Sequence, residues 1–314
     1  MKNLAFVFPG QGSQAVGMVA DLYESYPQIQ HIFARASDVL ELDLMEMVAS
    51  DVHNQLNLTQ YTQPALLTSS VAIWELWKEK SSVRPTFMAG HSLGEYSALV
   101  CAGALNFEDA VLLTHKRGKY MQEAVPEGTG AMMAVLGLED QQVVEICQQA
   151  DAGGNVTAAN FNSPGQVVIS GSKEAVEKAA GQAKEAGAKR VMPLPVSVPS
   201  HCALMQPAAD KLAEDLVTID IKSPEIPVVH NSDVMPHISP ENIKKALVEQ
   251  LYKSVQWTQT NQFFIDKGIL NIAECGPGKV LSGLAKRTHR TWNIYSLNTA
   301  DGFNQAVNAG DQES

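Results

Sequence analysis

Four cysteines in 314 residues, at positions 101, 147, 202 and 275, are too few and too scattered for a disulfide framework or a zinc site. No two form a C-x-x-C pair, so reduced thiols in a cytoplasmic protein are the expectation. Long hydrophobic runs are also missing. No stretch approaches the roughly 18 to 20 apolar residues that a membrane-spanning helix needs. The apolar run that begins at Leu4 stops at Pro9-Gly10, too early for a secretory leader. Positive charge is in deficit, with 23 Lys and Arg against 34 Asp and Glu, a net charge of −11. That balance argues against broad binding to nucleic acid or anionic lipid, and leaves local basic patches open. Internal repeats and low-complexity tracts are absent. What is present is an ordinary globular composition, 45% hydrophobic and 18% charged, in a chain long enough for one large α/β unit and a smaller one.

Leu4–Phe8 is a continuous apolar run closed by a Pro-Gly turn, the pattern of a strand buried on both faces. A helical stretch follows to about residue 40, interrupted at Pro27, and a strongly periodic helix is expected over 64–80. Residues 87–89 read as a short strand running into Gly90-His91-Ser92-Leu93-Gly94. A small-residue helix over 95–105 comes next, then a helix over 108–124 with Asn106 as N-cap. The middle of the chain reads as strand 131–138, helix 139–150, strand 156–162, a Ser163-Pro164-Gly165 turn and strand 166–170. A helix over 173–186, between Ser172 and Gly187, and a strand over 189–195 complete it. This β-α-β-β-α-β order is the ferredoxin-like plan. Residues 126–196 are therefore expected to form a small inserted subdomain, and 1–125 with 197–314 a discontinuous large α/β domain. Later helices are expected at 204–217, 243–251 and 258–267, with strands at 226–230 and 269–275. A final helix should follow Gly276-Pro277-Gly278. Beyond residue 298 the chain is polar and acidic, and is expected to be loosely held.

Gly90-His91-Ser92-Leu93-Gly94 fits G-x-S-x-G, with a strand before it and a helix after it. A serine on so sharp a turn projects its hydroxyl past the sheet. The same turn leaves the amide of Leu93 free at a helix N-terminus, where it can serve an oxyanion. The competing reading makes Ser92 an N-cap, because Ser92-x-x-Glu95 also matches a capping box. Gly10-x-Gly12-x-x-Ala15, after the first strand, meets the dinucleotide fingerprint, with Asp38 or Glu41 as its acidic partner. Pro9 and the helical pattern before Asp38 speak against that use. The alternative is the amide of Gln11 as a second oxyanion donor.

A serine nucleophile needs a base. Of the eight histidines, His91 reads as packing, and His31, His53, His115 and His237 as surface residues. His201, where the chain returns from the inserted segment, and His289, late in the chain, compete evenly for the role. Arg117 shares a helix face with Ala110, Leu113, Met121 and Ala124, so it points into the core. A buried guanidinium needs a carboxylate, either from an internal Asp or Glu or from a bound ligand.

Several motifs now stand together: Phe8-Pro-Gly-Gln-Gly-Ser-Gln14, Gln63-Pro64-Ala65, Gly90-His-Ser-Leu-Gly-Glu95 and Arg117-Gly118. Asn160-Phe-Asn-Ser-Pro-Gly-Gln166, Pro195-Val-Ser-Val-Pro-Ser-His201 and Gly276-Pro-Gly-Lys279 join them. Over nearly its whole length the chain resembles the malonyl-CoA–acyl carrier protein transacylases of fatty acid synthesis. The resemblance implies an acyltransferase in which Ser92 is acylated, His201 is its base and Arg117 holds the malonyl carboxylate. It implies an oxyanion hole from the amides of Gln11 and Leu93, and Gln63 lining the acyl site. No acid completes a triad; a backbone carbonyl, matched here by Gln250, orients the histidine. The implied fold is a hydrolase-like core carrying the ferredoxin-like subdomain. The implied reaction is ping-pong transfer from malonyl-CoA to the phosphopantetheine thiol of acyl carrier protein, with no metal or cofactor. Because that carrier is acidic, Lys189, Arg190, Lys286, Arg287 and Arg290 are the candidate docking patch. A cytoplasmic monomer is expected.

Overall fold

The computed structural model describes residues 1–311 apart from 152 and 197. In chain order its strands are β1 (Leu4–Phe8), β2 (Phe87–Gly90), β3 (Gly130–Leu136), β4 (Val156–Ser163), β5 (Gln166–Ser172), β6 (Arg190–Pro193), β7 (Val228–Val229), β8 (Asn271–Glu274) and β9 (Asn293–Ser296). They form two sheets in a mixed α/β architecture. One is parallel throughout, in the order β7-β2-β1-β8-β9. The other is antiparallel throughout, in the order β4-β5-β3-β6. β1 lies at the centre of the parallel sheet with all five residues buried, as a strand covered on both faces must. No helix among the described residues is long and apolar enough to cross a membrane.

The helix expected from Pro64 starts five residues earlier and spans Thr59–Lys80. Pro64 sits inside it and cannot donate the bond that the carbonyl of Gln60, four residues back, would normally receive. His115 supplies the missing donor: its Nδ1 lies 2.9 Å from that carbonyl oxygen. This histidine, expected at the surface, is half-buried and mends the helix. The same helix buries Trp74 and Trp77 edge-on against Phe6 of β1, at centroid distances of 5.3 and 5.2 Å.

The C-terminal stretch departs most from expectation. β9 adds a fifth parallel strand, and a helix over Ala300–Asp311 follows it. Its apolar positions are few but fall on one stripe. Phe303 and Ala306 are fully buried, and the Phe303 ring lies 6.1 Å from Trp77 and 6.2 Å from Tyr26. Asp21 accepts from the amide of Ala300 at 2.7 Å, and the Met1 ammonium donates to the carbonyl of Gly310 at 3.1 Å. A narrow stripe and tertiary caps hold a segment whose polar composition suggested a loose tail. Residues 312–314 lie outside the described residues.

The antiparallel sheet has two apolar faces. Val135, Val167 and Ile169 pack with the helices Asp140–Ala150 and Lys173–Glu185. Met132, Ala134 and Val168 point the other way and pack with Leu194 and Val196. The strand alternation thus sends every second residue toward the cavity described next. β4 is also tied to the rest of the molecule by residue 255, whose amide donates to Ala159 and whose carbonyl accepts from Phe161.

Candidate active site

β2 ends at Gly90, and a helix over Gly94–Cys101 begins four residues later. Between them Ser92 adopts φ +50°, a left-handed conformation that costs a non-glycine residue about 1–3 kcal/mol. Glycine is required on either side because three backbone segments touch here. A Cβ on Gly90 would lie 1.8 Å from the Gly94 carbonyl carbon, and one on Gly94 would lie 2.0 Å from the Phe8 oxygen. The capping-box reading of Ser92 fails. The helix has Leu93 at its N-cap without a side-chain cap bond, and Glu95 turns inward to other partners. The dinucleotide reading of Gly10 fails as well. A Cβ there would lie 2.3 Å from the His91 carbonyl oxygen, so the glycine packs against the turn. Asp38 lies on a helix and Glu41 caps its end; no strand carries either.

The strained turn is held by Asn231, which local sequence patterns did not single out. Its Oδ1 accepts from the Ser92 amide at 2.7 Å, and its Nδ2 donates to the Gly90 carbonyl at 2.6 Å. One side chain therefore bridges the backbone on both sides of His91. His91 itself packs on Trp257 with a centroid distance of 5.5 Å, and its Nε2 lies 2.8 Å from Asn162 Oδ1.

Ser92, His201 and Arg117 line one cavity. His201 Nε2 is 2.8 Å from Ser92 Oγ, and Nδ1 is 2.7 Å from the backbone oxygen of Gln250. A carbonyl can only accept, so Nδ1 carries the proton and Nε2 is free to take one from the serine. Burial, with the Arg117 charge adding to it, pushes the His201 pKa down to about 3, so the imidazole is neutral. His289 stands elsewhere. Its Nε2 is bonded to Thr291 Oγ1 at 2.7 Å, its ring packs on Trp292, and it does not line the cavity.

Arg117 is 1% exposed and makes no ion pair among the described residues. Its Nη1 donates to Gln63 Oε1 at 2.7 Å, and its Nη2 to Gln250 Oε1 at 2.9 Å and Ser92 Oγ at 3.3 Å. The Tyr96 ring lies beneath the guanidinium carbon at 5.4 Å. Two neutral amides thus aim a buried cation at the serine without cancelling its charge. Gln63 and Gln250, expected as substrate-binding residues, stand behind the guanidinium and do not line the cavity. Gln11 and Leu93 do line it, and their amides have no acceptor among the described residues. Ser197, within the motif that leads to His201, lies outside the described residues.

An acyl transferase domain model matches residues 5–310. The malonyl CoA-acyl carrier protein transacylase of Salmonella typhimurium is 53% identical over 98% of this chain and 99% of its own. That of Escherichia coli is 55% identical over 95% and 96%. The chain belongs to this transacylase family. A solved member from Coxiella burnetii, 50% identical, superposes with a TM-score of 0.96 over 98% of this chain and 97% of its own. A malonyl-transacylase solved in complex with a holo type II PKS acyl-carrier protein is 52% identical, also with a TM-score of 0.96, over 98% and 100%.

Proposed function

We propose that this chain transfers a malonyl group from malonyl-CoA to the phosphopantetheine thiol of acyl carrier protein through an ester on Ser92. The observation that carries this is the position of one hydroxyl within 2.8 Å of a neutral imidazole and 3.3 Å of a buried guanidinium. The first can activate it, and the second can hold a carboxylate beside it. His201 Nε2 takes the proton as Ser92 Oγ attacks the thioester carbonyl. The C–S bond breaks, and the imidazolium returns the proton to the coenzyme A thiolate. In the second half the carrier thiol gives its proton to His201, its sulfur attacks the ester carbonyl, the C–Oγ bond breaks, and the imidazolium returns the proton to Ser92 Oγ. The amides of Gln11 and Leu93 serve the oxyanion in both halves. Arg117 grips the malonyl carboxylate, with Gln63 and Gln250 keeping its fork in place.

The finer architecture belongs to the same proposal. The parallel sheet with its serine turn fits a hydrolase-like core over 1–125 and 197–314. The β4-β5-β3-β6 order, with two helices on one face, fits a ferredoxin-like subdomain over 126–196. The candidate docking residues support a carrier surface. Leu136 of β3 pairs with Arg190 on one side and Gln166 on the other, and Gln166 accepts from Arg287. Gln166 also lines the cavity, so the exposed Arg190 and Arg287 lie on its side of the molecule, suited to an acidic carrier. All four cysteines are unpaired and buried, which suits a reducing, cytoplasmic setting. A monomer is part of the same proposal. Incubation with malonyl-CoA followed by intact-protein and peptide mass spectrometry should place one malonyl group on Ser92. An unmodified serine, with native folding verified, rejects the mechanism.

A further inference from the structure

Glu95 is a fully buried carboxylate that the transfer steps above do not use. It lies one helical turn beyond the nucleophile, and three donors converge on it. His230 Nδ1 meets one oxygen at 2.7 Å; the Asn231 amide and Gln250 Nε2 meet the other, both at 2.9 Å. The Asn231 N–H can only donate, so the oxygen it shares with Gln250 accepts and faces the NH2 end of that carboxamide. The consequence reaches Gln250, whose carboxamide has one donating and one accepting end. With Nε2 turned to Glu95 and to the Ser92 carbonyl at 3.0 Å, Oε1 is left facing Arg117. Reversed, the amide would set its NH2 against the guanidinium and its oxygen against the carboxylate, two repulsive contacts in a buried site. One of the two amides that aim the guanidinium therefore takes its polarity from Glu95 together with the Ser92 carbonyl.

We propose that Glu95 is a positioning residue that acts through the Gln250 carboxamide to aim Arg117 at an acyl carboxylate. This rests on the role of Arg117 given under the proposed function. Glu95→Gln preserves size and the accepting oxygen that serves both the Asn231 amide and Gln250 Nε2, so it tests the carboxylate itself rather than the loss of either bond. The experiment measures kcat and KM for malonyl-CoA and acetyl-CoA in the full-length protein, with Arg117→Ala alongside. In Glu95→Gln the malonyl-to-acetyl ratio of kcat/KM should fall about fivefold, mainly through the malonyl KM. A ratio that stays at the wild-type value, or malonyl and acetyl transfer falling together, overturns the proposal. Gln250→Met leaves Glu95 and the backbone carbonyl in place and must shift the ratio the same way. If it does not, the proposal is overturned whatever Glu95→Gln does to folding. In the Gln250→Met background, Glu95→Gln should produce no further shift, and an additive one also counts against it. Should Arg117→Ala itself lower malonyl and acetyl transfer equally, the role of Arg117 is what fails; if Arg117→Ala shifts the ratio and Glu95→Gln does not, only the positioning role of Glu95 fails.

Discussion

The two sheets face the same cavity and bring different things to it. The parallel sheet and its helices carry every group with a proton or a charge at the reacting centre: Ser92, His201 and Arg117, with Asn231, Gln250 and Gln63 holding them. The antiparallel sheet and the chain just after it contribute Met132, Val168, Leu194 and Val196, an apolar wall, and the amides Asn160 and Gln166. On one side, backbones meet so closely that a single Cβ cannot be added at Gly90 or Gly94. On the other, alternate strand residues form a surface against which a flexible arm can lie. The first side is fixed by interlocked backbone, and the second is built from side chains that project from a regular sheet.

The sharpest break of this comparison is at the base. His201→Ala should lower transfer by about 10⁴-fold, whereas His289→Ala should retain most of it, in a steady-state malonyl transfer assay. Comparable losses in both would dissolve the distinction between them. Next comes Arg117→Ala, expected to cost malonyl transfer about 100-fold while acetyl transfer is reduced far less or rises. Equal losses would make Arg117 structural. On the opposite wall Leu194→Ala should raise KM for malonyl-CoA only severalfold, about what a few lost apolar contacts supply, with kcat nearly intact. A collapse of kcat there would mean that the wall shapes the reacting centre after all.

The smallest effect is one of pH. A solution histidine protonates near 6.5, but burial and the Arg117 charge keep His201 neutral until about pH 3. The kcat/KM profile for acylation should therefore show no fall near pH 6.5 on the acid side. The sign for stability is opposite to that of a histidine with a carboxylate partner. The unfolded chain takes the proton near 6.5 and the folded one does not until about 3, so this residue costs stability progressively as pH falls between the two. Arg117→Ala removes the second cause and should move the acid limb upward. A wild-type limb near 6.5 would mean that the imidazole is solvated.

Local patterns made much of this legible. The strand, sharp turn and helix around Ser92 needed only glycine spacing and an apolar run, and the inward face of Arg117 only helical periodicity. The β-α-β-β-α-β order could be followed through turn residues and caps. What escaped depends on distant partners. Asn231 and His230 sit after a two-residue strand and gain meaning only because the sheet sets β7 beside β2. The choice between His201 and His289 was open on the residues alone, since only the fold shows which of the two lies against Ser92. His115 looked like a surface residue because the carbonyl it serves belongs to another helix, left unpaired by a proline 51 residues earlier. The last helix was missed because its apolar stripe is thin and its caps come from residues 1 and 21.

Arg117 has a further consequence. Two amides fix its Nη groups and leave its Nε without a partner among the described residues, and its charge lowers the proton affinity of His201. On the proposed function, a malonyl carboxylate docked on the guanidinium would offset that charge and should let the imidazole bind a proton more readily. An acetyl group would bring no counter-charge and should meet a weaker base. On that reading one guanidinium would serve both the choice of acyl group and the strength of the base.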